Sequence, residues 1–417
     1  MTRKRRFLTP IVAFAVVLGG VLGQSASAMA QQKLQAPNTA LFGAAVSVSA
    51  DGNLALVGAP NTDGPLGAAY VFARSGRTWT LQQKLQVPHP VQLGALRFGS
   101  SVSLSPDGRT AVIGAQGSNP AIGGEDAAYV FTRGFVGGFT LQQKLVNPAG
   151  GLSGNAFGTS VSMGADGRTA LVGAPSPTGG AGGGSAYLFA RNLAGLWILQ
   201  QRLLPNDTSD FDGFGTSVVL GADGRSALVG APSKGGTGAA YTFARGFVGA
   251  FAQQQKLQAA DRASGDAFGG AVALSGDGRT ALIGAAQKEV GQFQGVAYVF
   301  GRNLLGSFSQ QQRLQASDRA ANDGFGGAVA LDRGGSRALI GARGTDGDRG
   351  SAYVFGRGFV GGFNQRQELQ VAPRVAGDFL GWSVALTSAG DTGLIGAPEL
   401  RSGTPSPGSA YVFTGLN

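Results

Sequence analysis

The amino-acid sequence predicts an all-β fold, a seven-bladed β-propeller built from four-stranded blades. Two observations lead to this prediction. A Phe-Gly pair or a close variant recurs seven times, with spacings of 54 to 59 residues. Each recurrence is followed by a Gly-Ala pair and then by Ala-Tyr-x-Phe, and no stretch has a sustained helical period. Repeat units of this length that hold four short strands form radial arrays.

Each unit contains four candidate strands. In the first unit "GAAVSVS" alternates as a half-buried strand does, and "LALVGAP" is apolar throughout, as in a strand covered on both faces. "AAYVFAR" alternates again, and "WTLQQKLQ" carries Gln and Lys between its apolar positions. In five units Asp-Gly joins the first two strands, which indicates a hairpin because glycine accepts a positive φ. The aspartates are Asp51, Asp107, Asp166, Asp223 and Asp277.

The two ends of the chain are expected to close the ring. The outer "QQKL" strand follows six of the units, and the missing copy stands at 31–35. We therefore expect Gln31–Gln35 to pair with Ala410–Thr414, which removes two open sheet edges. Five residues before Lys33 stands Ala28, where the other outer strands have Phe or Trp, so this seam is expected to be weaker.

Residues 1–30 are predicted to be a signal peptide, and 31–417 a single propeller domain. Four basic residues precede the apolar run "FLTPIVAFAVVLGGVLG", and "SASAMA" offers cleavage after Ala28 or Ala30. The run is short and contains Pro10, which favours a cleaved signal over a permanent anchor. The protein is thus expected to be secreted or held at the cell surface. Both the general and the twin-arginine export routes remain open.

The composition excludes several kinds of chemistry. Cysteine is absent, so thiol nucleophiles and disulfides are excluded and the usual zinc ligands are lacking. The single histidine, His89, stands between two prolines and is a poor candidate for a catalytic base. Basic residues are dispersed without interleaved aromatic residues, which argues against nucleic acid. No cofactor is expected.

The recurring "FG", "ADG", "VGAP" and "AYVF" stretches resemble the FG-GAP repeat family, which includes the propeller units of integrin α-chains and of exported bacterial proteins. The resemblance covers nearly all of 31–417 and implies a seven-bladed propeller, usually extracellular and used in binding. In the integrin-like branch some turns between the first two strands bind calcium through several acidic residues. The corresponding "SADGNLA" offers one carboxylate, whereas Ca²⁺ takes six to eight oxygens. We therefore expect no metal, and interpret Asp51 and its equivalents as turn formers.

Charge is expected to divide between the two faces of the disc. The loops before the first and third strands share one face, which is acidic and carries the most variable loops. Its candidate ligand-binding residues are Asp212, Asp266, Asp323, Asp346 and Asp348. An alternative is that Asp212, Asp266 and Asp323 form Asx-type turns, since each stands two residues before the Phe of its unit.

The two hairpins of each blade share the opposite, basic face. Its candidate envelope-facing residues are Phe135, Phe247, Phe359, Arg133, Arg245 and Arg357. Cationic and apolar groups together would suit an anionic envelope surface. The alternative, which we favour at this stage, is that each Arg pairs with the Asp of a nearby turn and each Phe folds back over the blade edge.

The leading functional prediction is a monomeric, exported, non-enzymatic propeller that binds an extracellular protein or glycan through its acidic face. A structural component of the cell envelope, docked through the basic face, is one alternative. The other is an enzyme that acts on polysaccharide through paired carboxylates, since the acidic face could supply such a pair.

Overall fold

The computed structural model describes residues 30–87, 96–117, 126–134, 137–148, 155–175, 182–246, 249–288, 291–359, 361–400 and 407–416. The strands within these residues are β1 Ala30–Leu34, β2 Ala45–Val48, β3 Leu54–Ala59, β4 Ala68–Ser75, β5 Thr78–Leu85, β6 Phe98–Leu104, β7 Thr110–Ala115, β8 Ala127–Arg133, β9 Phe139–Val146, β10 Val161–Met163, β11 Thr169–Ala174, β12 Ser185–Arg191, β13 Trp197–Leu203, β14 Ser217–Leu220, β15 Ser226–Ala231, β16 Ala239–Arg245, β17 Phe251–Leu257, β18 Ala271–Leu274, β19 Thr280–Ala285, β20 Val296–Arg302, β21 Phe308–Leu314, β22 Ala328–Leu331, β23 Arg337–Ala342, β24 Ser351–Arg357, β25 Phe363–Leu369, β26 Ser383–Leu386, β27 Thr392–Ala397 and β28 Ser409–Thr414.

These strands form seven four-stranded antiparallel sheets, which are the blades of a β-propeller. Blades 1 to 6 are β2–β5, β6–β9, β10–β13, β14–β17, β18–β21 and β22–β25, and blade 7 is β26–β28 completed by β1. Within the described residues, the helical segments are single turns between the second and third strands, at Gly64–Leu66, Lys234–Gly236 and Thr345–Asp348. None of the described helices has the length and apolar character needed to cross a membrane. The predicted fold class is confirmed.

The ends of the described chain close the ring as expected. Strand β1 pairs antiparallel with β28, in a register that places Gln31 opposite Phe413 and Leu34 opposite Ala410. The outermost strand of blade 7 therefore comes from the beginning of the described chain, and its three inner strands come from the end of it. Closure gives blade 7 its fourth strand, so that all seven described blades have the same four-stranded form. The predicted signal peptide and Ala28 lie outside the described residues.

The glycines of the repeat allow neighbouring blades to touch through their backbones. A Cβ on Gly58 would lie 2.0 Å from the carbonyl oxygen of Gly99 in the next blade. The corresponding glycine of every other blade would meet the same kind of clash, at 1.9 to 2.0 Å. Any larger residue would force the blades apart, so both the Phe-Gly and the Gly-Ala glycines are required for closure.

The aromatic residues of the repeat fill the space between blades. Phe42 is fully buried, and its ring centroid lies 5.5 Å from that of Tyr70 and 5.9 Å from that of Phe72. The same tilted or edge-on trio recurs in blades 2 to 6. Aromatic pairs in these orientations stabilise a core beyond the area that they bury. The repeat signature is thus explained by the architecture.

One glutamine of each "LQQKLQ" strand ties its blade to the next. Gln83 Nε2 donates to the carbonyl oxygen of Phe139 at 2.8 Å, and its Oε1 accepts from the Phe139 N–H at 2.7 Å. The same two-point contact starts from Gln32, Gln143, Gln201, Gln255 and Gln312. Between blades 6 and 7 the equivalent residue is Gln367, whose Oε1 is buried and has no hydrogen-bond partner among the described residues.

Blade 7 corrects one part of the sequence interpretation. The spacing of 54 residues from Phe325 predicts that Phe379 of "FLGW" is the Phe of the seventh copy of the repeat. In the structure Leu380 occupies that buried position, and Gly381 makes the close approach to Gly341. Phe379 is displaced by one residue, is only partly buried, and packs edge-on against Trp382 at 6.0 Å.

The Asp-Gly turns have the hydrogen bonds expected of turn formers. Asp51 Oδ1 accepts from the Ser49 hydroxyl at 2.5 Å and from the Asn53 N–H at 3.0 Å. Burial alone would raise the pKa of Asp51, but these hydrogen bonds outweigh burial and lower its pKa below the usual value. The four equivalent aspartates accept backbone N–H bonds in the same way.

Candidate ligand-binding site

Three of the predicted ligand-binding aspartates are buried supports of their loops. Asp212, Asp266 and Asp323 are 3%, 1% and 1% exposed. Each Oδ2 accepts the backbone N–H of the residue three positions earlier, at 2.7, 2.6 and 2.5 Å. Such bonds satisfy backbone N–H groups that would otherwise have no hydrogen-bond acceptor within the turn. The turn interpretation therefore describes these three residues, and none of them is among the described residues that line the cavity on this face.

In blades 4 and 5 a buried lysine anchors the acidic loop. Lys234 Nζ lies 2.8 Å from Asp212 Oδ2 and 3.2 Å from Ser209 Oγ, and the lysine is 6% exposed. It also donates to the carbonyl oxygen of Asp207. Lys288 contacts Asp266 Oδ2 at 2.7 Å and donates to the carbonyl oxygen of Asp261. A buried charge of either sign is stable only with such partners.

A tyrosine of the repeat completes each anchor. Tyr241 OH donates to Asp207 Oδ1 at 2.8 Å, and Lys256 Nζ lies 2.7 Å from Asp207 Oδ2. Burial would raise the pKa of Asp207, but the bonds from Lys256 and Tyr241 lower it below its usual value. In blade 5 Tyr298 OH donates to Asp261 at 2.7 Å.

Blade 6 keeps the aspartates but lacks the lysine. Thr345 occupies the position of Lys234 and Lys288, and its hydroxyl donates to the carbonyl oxygen of Ala342 at 2.9 Å. Burial raises the pKa of Asp323, and the negative charges of Asp318, Asp346 and Glu368 raise it further against the opposing bond from Ala320. The carboxylates around Asp323 therefore lack the buried lysine that offsets the negative charge of Asp212 in blade 4 and of Asp266 in blade 5.

The remaining two acidic candidates are exposed. Asp346 Oδ2 forms an ion pair with an Nη of Arg374 at 2.5 Å. The carbonyl oxygen of Asp348 accepts the N–H groups of Gly377 and Phe379 at 3.0 Å each. Asp348 is the acidic candidate that lines the cavity on this face.

That cavity has a volume of about 670 Å³ and lies on the acidic face, where loops of blades 4 to 7 meet. Glycine at 270 and 327 leaves room for it, since the equivalent residue in blades 1 to 4 carries a side chain. Polar side chains come from Gln287, Asn322, Arg343 and Asp348, and aromatic rings come from Phe293, Phe379 and Trp382. The volume and this mixture are typical of small-ligand sites.

A cation–π pair forms one wall of the cavity. The Arg343 guanidinium lies 4.4 Å from the centroid of the Trp382 ring. Stacking leaves the in-plane N–H donors of an arginine available to a planar acceptor such as a carboxylate. The partly exposed Trp382 and Phe379 offer apolar faces beside those donors.

Sequence analysis missed these residues, although the signal was present. In four of the seven units a Pro follows the Gly-Ala pair, whereas in blade 6 Arg343 follows it. In the other units a small residue follows the Phe-Gly pair, whereas in blade 7 Trp382 stands at this position. The "FLGW" of blade 7 also places Phe379 one residue before the usual Phe position. All three departures from the repeat meet in one cavity. A search for departures, rather than for acidic residues, would have found them.

On the basic face, the described arginines make contacts other than the expected pairs with turn aspartates, and the described Phe359 does not cover the blade edge. Arg133 and Arg245 close their own hairpins, since each Nε donates to a glycine carbonyl oxygen at 2.8 Å. The Arg357 guanidinium lies 5.0 Å from the Phe363 ring centroid. Phe359 projects fully into solvent and does not fold back. Phe135 and Phe247, like His89, lie outside the described residues.

A family model described as FG-GAP repeat matches residues 139–189, 197–243, 251–300 and 308–355. Each segment runs from the aromatic residue of one outer strand to the Phe of "AYxF" in the next blade, so the sequence repeat is offset from the blade by one strand. With the seven-bladed ring, these matches identify the chain as an FG-GAP repeat propeller. No curated protein matches the chain.

Solved structures share the fold at low identity. A periplasmic gluconolactonase from Pseudomonas aeruginosa is 18% identical with a TM-score of 0.54, over 78% of this chain and 85% of that one. A putative 6-phosphogluconolactonase from Bacteroides fragilis is 16% identical with a TM-score of 0.55, over 79% and 84%. Hydrazine synthase from Kuenenia stuttgartiensis is 12% identical with a TM-score of 0.60, over 92% and 98%. At these identities the likeness concerns the fold alone.

Proposed function

We propose that this protein is an exported, monomeric propeller that binds a glycan through the cavity on its acidic face, at a sugar that carries one carboxylate. The observation that supports this proposal is the meeting of Arg343, Phe379 and Trp382, three departures from a regular repeat, around about 670 Å³ of space. Because these three residues do not belong to the pattern that closes the ring, their side chains are available for ligand binding.

The chemistry of the lining supports this ligand class. The aromatic faces of Trp382 and Phe379 suit the apolar face of a sugar ring, and the amides of Gln287 and Asn322 suit its hydroxyl groups. The fork of donors on Arg343 suits a single carboxylate. The acidic residues of blade 6 disfavour a ligand with many negative charges.

Calorimetric titration with two matched oligosaccharides tests the proposal. The probes are xylotriose and the same trisaccharide carrying one methylglucuronate. We expect saturable binding of the acidic probe that is weakened about tenfold or more in Arg343→Gln, because the charge-assisted contact is lost. Arg262→Gln, on the same face but outside the cavity lining, is the matched control and should bind normally. Equal binding of both probes, or equal effects of both substitutions, would contradict the proposal.

Enzymatic activity is the second candidate, favoured by the lactonase names of two proteins with this fold. Within the cavity lining Asp348 is the one carboxylate, so it is the residue available as a general base. Hydrolysis of glucono-1,5-lactone that disappears in Asp348→Asn would establish this candidate in place of a binding module. Absence of turnover together with saccharide binding would support the binding module.

A further inference from the structure

Apolar side chains project from the basic face in three of the blades. Leu193, Leu304, Leu305 and Phe359 have relative exposures of 104%, 94%, 93% and 111%. All four lie in the hairpin between the third and fourth strands, in blades 3, 5 and 6, and this hairpin emerges on the same face of every blade. Apolar side chains this exposed are unusual on a soluble surface when they gather on one face.

The hairpins hold these side chains outward through local hydrogen bonds. Arg302 Nε donates to the Gly306 carbonyl oxygen at 2.9 Å. Asn303 Oδ1 accepts from the N–H groups of Leu305 and Ser307, at 3.0 Å each. The hairpin of blade 3 has the same arrangement, with Arg191 bonded to Gly195 and Asn192 to Leu196. Since the tips are already ordered, burying them in a partner costs little conformational entropy.

A cationic cavity lies between the tips of blades 5 and 6. It has a volume of about 620 Å³, and its charged lining consists of Arg279, Arg302 and Arg357 against Asp277. Two further lining residues lie close to the apolar tips in the sequence: Asn303 directly precedes Leu304, and Gly361 follows Phe359 by two positions. A positively charged recess flanked by apolar tips matches the layering of an anionic lipid surface, with phosphate above hydrocarbon.

We infer that the basic face docks on an anionic lipid bilayer. The tips at Leu193, Leu304, Leu305 and Phe359 enter the boundary between headgroups and acyl chains, and the cavity between blades 5 and 6 receives a headgroup phosphate. The charge of the recess argues for this occupant over an uncharged apolar partner. In this orientation the glycan cavity on the opposite face points away from the membrane, although docking does not depend on that cavity.

Vesicle sedimentation tests the inference. The chain from Met29 onward is used because it contains every described strand and lacks the apolar run at 7–23. Vesicles contain equal parts of phosphatidylglycerol and phosphatidylcholine, or phosphatidylcholine alone. We expect the protein to bind the anionic vesicles and to bind neutral ones at least tenfold more weakly. The triple variant Leu304→Ser, Leu305→Ser, Phe359→Ser should lose at least tenfold in binding to anionic vesicles, because three apolar insertions are removed.

Two further variants distinguish this surface from others. Arg279→Gln should weaken binding a fewfold, and only at low salt, because it removes one charge from the recess. Phe211→Ser removes an exposed apolar residue from the opposite face and should leave binding unchanged. No binding to anionic vesicles, or equal losses in Phe211→Ser and the triple variant, would overturn the inference. So would a dimer in size-exclusion chromatography that the triple variant converts to monomer, since a second copy would then cover the tips.

Discussion

Blades 4 and 5 differ from blades 6 and 7 in the residues that their acidic-face loops carry. In blades 4 and 5 the acidic loops are anchored by Lys234 and Lys288, and the buried aspartates beneath them are paired. In blade 6 Thr345 replaces the lysine, and Arg343 departs from the repeat two residues earlier. In blade 7 Trp382 departs as well. The lysines thus anchor the loops of blades 4 and 5, whereas Arg343 and Trp382 line the cavity.

The buried anchor of blade 4 gives the largest predicted effect. Lys234→Met leaves Asp212 buried without its cation, so we expect the free energy of unfolding to fall by about 3–5 kcal/mol. The matched control in blade 6 is Thr345→Val, which loses one hydrogen bond to Ala342 and should cost about 1 kcal/mol. Urea unfolding of the two variants measures both values. Similar small losses would show that the lysine is dispensable and that the contrast between the blades is false.

Asp323 of blade 6, which forms no ion pair within the part of the chain that the structure describes, gives a smaller effect that depends on pH. The pKa of Asp323 is raised in the folded state, so its contribution to stability is fully present below its usual pKa of 3.8 and is lost as the pH rises through the raised value. Asp323→Asn should therefore leave the free energy of unfolding at neutral pH unchanged or slightly higher, within about 1 kcal/mol. As the pH falls toward 4, the free energy of unfolding of the parent protein should rise relative to that of the variant.

Urea unfolding at several pH values between 4 and 7 measures this difference. Asp212→Asn is the control, because it should destabilise the protein at neutral pH by removing the charge that pairs with Lys234. A large loss in Asp323→Asn at neutral pH would mean that its carboxylate is paired after all.

The sequence was sufficient for the ring because the ring depends on repetition. Seven copies of one pattern fix the blade count, and the displaced "QQKL" strand fixes the closure between β1 and β28. The role of the second glutamine could not be read from the sequence, since its partners are the backbone atoms of residues about 50 positions away. The same limit applies to Asp212, whose partner Lys234 is 22 residues distant and is absent from most units.

The candidate site was only partly predictable. The acidic face was the expected one, but counting acids placed the ligand on Asp212, Asp266 and Asp323, which the structure buries beneath their loops. The residues that line the cavity come from four blades and converge only when the ring closes. Trp382 and Arg343 stand 39 residues apart in the chain and are in contact across a blade interface.

Tryptophan fluorescence tests most directly whether this cavity is the ligand site. The chain has three tryptophans, and Trp79 and Trp197 are buried in outer strands where other blades have Phe. The variant Trp79→Phe, Trp197→Phe therefore keeps the fold and leaves Trp382 as the reporter. Titration with the methylglucuronate-bearing trisaccharide should shift its emission saturably, with the midpoint found by calorimetry. Calorimetric binding without any change in Trp382 emission would place the ligand elsewhere and contradict the account.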